Sequence, residues 1–223
     1  MAVIADPVSV AGLVVREVRT GSRDGTPTRV VVARRGYRGE PGDVWNALTD
    51  PERIPRWFLP VSGELRVGGR YRFEGNAGGL VQECRAPETF AVTWEMGPVV
   101  SWLRVTLTPE DGGTLLELLH EAPVDPELWE RFGPSAVGLG WDLGLLGLGL
   151  HLDSGEAVDP ALAAGLLTSA EGVEFVRTAA EGWASAAAAD GDETTAAREA
   201  AERTVAAYTA APGDDVPGNG TAG

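Results

Sequence analysis

The sequence predicts an α+β chain: a curved antiparallel sheet around one long C-terminal helix, followed by a C-terminal helical extension. Three observations carry this. From Arg70 to His120, apolar residues recur at every second position between turn residues. From Ser135 to Leu152 the only charged residue is Asp142. Beyond about residue 160 the chain turns alanine-rich and acidic, with apolar residues at helical spacing.

The elements follow in order. Val8 to Val18 is valine-rich and suits a short helix or a strand equally. Arg23-Asp24-Gly25-Thr26-Pro27 is a loop, and Thr28 to Arg35 reads as a strand. Val44, Trp45 and Leu48 share one face of a short helix after Pro41. Asp50-Pro51-Glu52 is expected to open a second short helix, with Asp50 as N-cap, that Pro55 keeps short. Tyr71 and Phe73 alternate with Arg70, Arg72 and Glu74. The same alternation holds for Phe90, Val92, Trp94 and Met96, for Leu103, Val105 and Leu107, and for Leu116, Leu118 and His120. Strands joined by such turns make an antiparallel meander, with Arg66, Arg70, Arg72 and Arg104 on its outer face. Leu128, Trp129 and Phe132 begin a helix that Gly133-Pro134 breaks. The run from Ser135 to Leu152 holds five glycines after Pro134 and a central aspartate, so it reads as a buried core helix rather than a membrane span. Two helices are expected over about 160–188, with Phe175, Val176, Ala179 and Trp183 on one face, and about 193–210. The expected division is 1–27 as an N-terminal segment, 28–152 as the principal domain, 153–211 as the helical extension and 212–223 as a disordered tail.

Composition removes several classes of function. The chain has 223 residues, 18 basic and 33 acidic, for a net charge of -15. Every basic residue is arginine, which excludes lysine Schiff-base chemistry and a Gly-Lys-Ser/Thr phosphate loop. The acidic balance argues against nucleic acid and anionic membrane surfaces. One cysteine, Cys84, permits no intrachain disulfide and suits a reducing compartment. Met1 to Val15 lacks a basic region before its apolar stretch, so no signal peptide is expected and the cytoplasm is the expected location. Two histidines and one cysteine, far apart, lack the spacing of a metal cluster, and no metal or cofactor is expected.

Few motifs carry chemistry. Gly138-Leu139-Gly140-Trp141-Asp142-Leu143-Gly144 superficially suggests a dinucleotide loop, but its spacing is wrong and no strand precedes it. Its plainer reading is close packing, with Gly140, Gly144 and Gly147 on one side of a helix. His120 shares strand parity with Leu116 and Leu118, so it faces inward and needs a partner, either backbone or Asp142. In an apolar cavity it would serve as a polar anchor or an acid/base group. His151 is expected at the surface or as a helix C-terminal cap.

The run Pro41-Gly42-Asp43-Val44-Trp45-Asn46-Ala47-Leu48-Thr49-Asp50-Pro51-Glu52-Arg53-Ile54-Pro55-Arg56-Trp57-Phe58 closely resembles the opening of the START-like, or SRPBCC, superfamily. It is most similar to the subgroup named after the activator of the heat-shock protein ATPase. Gly68-Gly69-Arg70-Tyr71-Arg72-Phe73, Ala86-Pro87, Val92-Thr93-Trp94-Glu95 and Leu116-Glu117-Leu118-Leu119-His120 match the same pattern in order. Gly138 to Leu143 resembles the long helix of an actinobacterial-type branch. The resemblance spans about residues 28–152 and implies the helix-grip fold. Superfamily members bind lipids, sterols, hormones or polyketides, act as aromatases or cyclases, or stimulate a chaperone ATPase, so the fold leaves function open.

Three readings follow. In the first, Trp57, Phe58, Tyr71, Phe73, Trp94 and Trp141 line a cavity for an apolar or aromatic small molecule, with His120 as its polar anchor. In the second, His120 and Asp142 form the acid/base pair of a cyclase or dehydratase. In the third, the acidic C-terminal helices or the arginine face bind a protein partner, such as a chaperone or a second copy of the chain.

Overall fold

The structure, a computed structural model, describes residues 6–159 and 165–210. The tail expected over 212–223 and the start of the helix expected from about 160 lie outside the described residues. In chain order the elements are α1 (Pro7–Gly12), β1 (Val15–Arg23), β2 (Thr26–Arg38), α2 (Pro41–Thr49), a 3-10 turn (Ile54–Arg56), β3 (Val61–Gly63), β4 (Arg70–Phe73), β5 (Gly78–Arg85), β6 (Thr89–Met96), β7 (Val99–Glu110), β8 (Gly113–Pro123), α3 (Pro126–Phe132), α4 (Ser135–Ser154), α5 (Ala170–Asp190) and α6 (Thr194–Thr209). The eight strands form one antiparallel sheet of order β1-β2-β8-β7-β6-β5-β4-β3. This is the helix-grip arrangement the element order predicts. The ambiguous N-terminal stretch contains both alternatives, a short helix and then a strand of the sheet. Strand β3, only three residues long, has too few positions to show an alternation in sequence.

The described chain divides into two compact units. The terminal unit comprises residues 6–33, 124–143, 159 and 165–210, and the meander unit comprises 34–123 and 144–158. Strand β2 and helix α4 contribute residues to both.

In the terminal unit α5 packs against α1, β1 and α6, and α3 packs against α6. The helix ends are set by local chemistry. Asp125 caps α3 through Leu128 N at 3.0 Å, with Pro126 in the first turn, and Ser169 caps α5 through Gly172 N at 3.0 Å. Helix α5 stops at Gly191, whose φ of 116° suits only glycine at low cost. The face of Phe175, Val176, Ala179 and Trp183 is buried as its spacing predicts, with alanines letting the helices approach. One arginine holds the acidic turn between α5 and α6. Arg29 donates to Asp190 Oδ2 at 2.8 Å and Asp192 Oδ1 at 3.0 Å, and its guanidinium lies 4.6 Å from the Trp129 ring centroid. Trp129 Nε1 donates to Asp192 Oδ2 at 2.8 Å.

Gly138 of α4 lies under the indole of Trp183. A Cβ at residue 138 would stand 2.3 Å from Trp183 Cε2, and Trp183 is fully buried. Because the rigid indole cannot yield, Gly138→Ala is expected to lower the unfolding free energy by about 1–3 kcal/mol. Chemical denaturation checks this, and an unchanged midpoint would refute the contact.

In the meander unit the register places Leu103 opposite His120, Val105 opposite Leu118 and Leu107 opposite Leu116, all six buried. Arg70 and Arg104 lie outward and pair with Glu95 and Glu83. The helix expected from Asp50 is reduced to the 3-10 turn. Asp50 Oδ1 accepts from Glu52 N at 2.8 Å as a cap does, but Pro55 has no N–H to extend the hydrogen-bond ladder. His151 is also not at the surface. It is 1% exposed, accepts at Nε2 from Arg53 Nε at 3.1 Å, and donates from Nδ1 to Glu156 O at 2.7 Å. The chain that follows α4 folds back over it, which helix periodicity does not report. Helix α4 is long and apolar enough to cross a membrane by composition alone, yet 67% of its most apolar window is buried inside the protein, as in a core helix.

Candidate functional site

Six of the seven expected ligand-contacting residues are in the meander unit, and the structure joins them in one chain of ring contacts. Trp57 meets Phe58 at a centroid distance of 5.6 Å, Phe58 meets Phe73 edge-on at 5.1 Å, and Tyr71 meets Phe73 at 5.6 Å. Phe73 continues to Trp94 at 5.7 Å, and Trp94 to the His120 imidazole at 6.4 Å. Contacts of this kind are worth about 0.5–1.5 kcal/mol each beyond buried area. The chain is graded in exposure: Trp57, Phe58 and Phe73 are half-buried, whereas Tyr71, Trp94 and His120 are buried. One end of this aromatic wall therefore meets solvent and the other ends on a polar group.

Local sequence explains the placement. Tyr71 and Phe73 share a strand face because they are two residues apart, and β4 is joined to β6 through β5. Trp57 and Phe58 follow directly on the 3-10 turn, in a loop pinned by Trp57 Nε1 donating to Ala47 O at 2.9 Å. Bare helix backbone lies against them. A Cβ at residue 147 would stand 2.8 Å from Trp57 O, and one at residue 144 would stand 4.0 Å from Phe58. Gly144 and Gly147 thus have the close-packing role their spacing suggests, and α4 is unbroken helix through the glycine run, so no phosphate loop exists there.

His120 is held in one tautomer. Ser101 gives its only hydroxyl proton to Trp94 O at 2.9 Å, so His120 Nε2, 2.7 Å from Ser101 Oγ, must be the donor in that contact. Burial pushes the imidazole down from its ordinary 6.5 to about 4, so it is neutral at pH 7. Tyr71 is a neutral donor as well: its hydroxyl gives to Thr93 O at 2.8 Å, and burial, followed by the nearby Glu95 charge, pushes its ionisation upward.

The remaining expected residues, Trp141 and Asp142, lie on the part of α4 that belongs to the terminal unit. Trp141 is half-buried. Asp142 is fully buried and holds a hub of that unit. Its Oδ1 accepts from Arg16 Nη2 at 2.7 Å, and its Oδ2 accepts from Arg16 Nε at 3.2 Å and from Trp183 Nε1 at 2.6 Å. Arg16 also donates to Val14 O and Ala11 O, which ties α1 and β1 to α4. Both carboxylate oxygens of the candidate catalytic acid are thus taken up by structural donors.

Sequence reasoning missed Arg35. It is 93% buried, since only 7% of it is exposed. Its Nη1 donates to Leu145 O at 2.9 Å, its guanidinium carbon lies 5.0 Å from the Tyr37 ring centroid, and its Nε has no partner. Strand parity could have found it, because Arg34 and Arg35 must face opposite sides and Arg34 pairs with Glu117. Among the described residues, no three histidine, cysteine or carboxylate side chains converge as a metal site.

An eight-stranded antiparallel sheet followed by a long core helix is the helix-grip fold, the fold of START-like proteins. The sequence profile of the family described as Activator of Hsp90 ATPase homolog 1-like protein matches residues 39–145. The resemblance to that subgroup, read from Pro41 to Phe58 and the strands that follow, therefore holds. The crystal structure of CalU16 from Micromonospora echinospora is 29% identical over 80% of this chain and 99% of its own, with a TM-score of 0.62. Its solution structure gives 28% identity, 80%, 97% and a TM-score of 0.67. Residues 28–152 are only about 56% of the chain, so the CalU16 likeness takes in elements outside them. DynU16, described as a protein of the dynemicin biosynthetic locus, is 22% identical over 57% of this chain and 48% of its own, with a TM-score of 0.50, and shares the fold. No protein of curated function matches the chain.

Proposed function

We propose that the meander unit binds an apolar or aromatic small molecule against the wall of Trp57, Phe58, Tyr71, Phe73 and Trp94, with His120 as a neutral polar anchor. The observation that carries this is the unbroken run of ring contacts from half-exposed Trp57 to buried His120. A core needs no exposed aromatic end, whereas a site that admits a flat apolar ligand does. Two features favour binding over acid/base catalysis. His120 is neutral at pH 7 and already gives its Nε2 proton to Ser101, which makes it a poor proton donor, and Asp142 is committed to Arg16 and Trp183. The same proposal places the protein in a reducing, cytoplasmic compartment, which the single exposed Cys84 supports.

The test uses Phe73, the residue that touches three other rings and is only half-buried. Phe73→Leu keeps an apolar side chain, so folding is expected to lose under about 1.5 kcal/mol. Titration with 2-naphthylmethanol, followed by tryptophan fluorescence, is expected to show saturable binding that weakens at least tenfold in the variant. Equal affinity in both proteins, or no binding to either, would overturn the proposal.

A further inference from the structure

We propose that Ser101 sets the specificity of this site, restricting it to aromatic ligands that bring their own hydrogen-bond donor, such as an alcohol, a phenol or a ring N–H, and rejecting aldehydes, ketones and carboxylates. This rests on the aromatic-site reading above. Ser101 is buried on β7 and lies directly opposite Trp94 of β6, so both side chains stand on one face of the sheet. The buried end of the wall holds two hydroxyls and an imidazole, those of Tyr71, Ser101 and His120, and their protons are already placed. Tyr71 gives its hydroxyl proton to Thr93 O at 2.8 Å. Ser101 gives its own to Trp94 O at 2.9 Å. His120 then gives its Nε2 proton to Ser101 Oγ at 2.7 Å, and a neutral imidazole has no second N–H.

A ligand carbonyl or carboxylate brought to this end finds none of these protons to accept, and an oxygen buried without a partner loses its water for nothing in return. A carboxylate also meets the charge of Glu95, which adds to burial in pushing the Tyr71 ionisation upward. A ligand O–H or N–H fares differently. The Ser101 hydroxyl has two lone pairs, and among the described residues His120 is the only donor to its Oγ. The second lone pair is an acceptor for a donor that the ligand supplies. Ser101 therefore acts twice: it takes up the histidine proton and offers an acceptor in its place. Removing Oγ reverses both effects, because His120 Nε2 then has a proton to give and the acceptor is gone.

Two probes of one skeleton separate the ideas: 2-naphthylmethanol and 2-naphthaldehyde share every heavy atom, and only the alcohol carries a donor. The chain has no lysine to trap the aldehyde. Both are titrated by calorimetry at pH 7.5 into the full-length protein, into Ser101→Ala and into His120→Gln. The wild-type protein is expected to bind the alcohol at least tenfold more tightly than the aldehyde. Ser101→Ala is expected to reverse that order, with the aldehyde bound at least tenfold more tightly than by wild type. His120→Gln keeps one amide proton on Ser101 Oγ and adds a second, so it is expected to raise the aldehyde affinity alone, and it serves as the test if the alanine variant does not fold. Equal affinity of wild type for both probes, or a preference for the aldehyde, would mean that another donor, such as the Trp94 indole, serves the carbonyl. That result overturns the role of Ser101 and leaves the aromatic site standing, as does an aldehyde affinity that neither substitution changes. Binding of neither probe overturns the aromatic site, and the specificity with it.

Discussion

Replacing Asp142 with alanine is expected to lower the unfolding free energy by about 3–5 kcal/mol, a large share of a domain's stability. The substitution leaves three donors stranded. Arg16, whose side chain is 7% exposed, keeps its charge without a counterion, and the Trp183 indole N–H loses its acceptor inside a fully buried core. The energy at stake is chiefly that of the orphaned groups. Exchanging both charges for apolar side chains, as in Arg16→Met with Asp142→Leu, is therefore expected to recover most of the loss. Denaturant titrations of the two single variants and the double variant check this. A loss under about 1 kcal/mol in Asp142→Ala would mean that water reaches the pair and screens it. The result also bears on chemistry. Any activity lost with Asp142 must be compared with the folded fraction first, because this carboxylate holds α1, β1, α4 and α5 together.

The second large effect concerns pH. His120 is neutral in the folded protein down to about pH 4, whereas an unfolded histidine takes up its proton near 6.5. Between those values the unfolded chain binds more protons than the folded one, so stability falls as pH falls. Above 6.5 both forms are neutral and the residue contributes no pH dependence. A displacement of this size is worth roughly 3 kcal/mol once the pH has reached 4. Wild type is therefore expected to lose roughly 2–3 kcal/mol more than His120→Gln between pH 7.5 and 4.5. Glutamine can still donate to Ser101 Oγ, so the two proteins should be close at pH 7.5. Parallel pH profiles would mean that His120 becomes charged in the folded state at little cost, against its burial.

The sequence revealed which stretches are strand and helix and which face of each is apolar, because both properties repeat along the chain itself. Period two placed Tyr71 with Phe73 and put His120 inward with Leu116 and Leu118. Period 3.6 placed Phe175, Val176, Ala179 and Trp183 on one face. The glycines of α4 announced close approach, since only a missing side chain lets Trp57 O come near residue 147. Short or irregular pieces were less legible. Strand β3 is too brief to show a period, and Pro55 cut the expected helix to a single 3-10 turn.

Only the tertiary structure decided which polar groups meet. Arg16 and Asp142 are 126 positions apart, Arg29 and Asp190 are 161 apart, and Arg35 and Leu145 are 110 apart. No local period links such residues. Their pairing depends on how a sheet and its helices bring distant segments together, and on whether water is excluded when they arrive. For that reason an aspartate that stood out in sequence as an acid proved to be the counterion of a distant arginine. By the same reasoning, Arg35, which the sequence did not single out, proved to be buried, with its Nη1 on Leu145 O and its Nε without a partner.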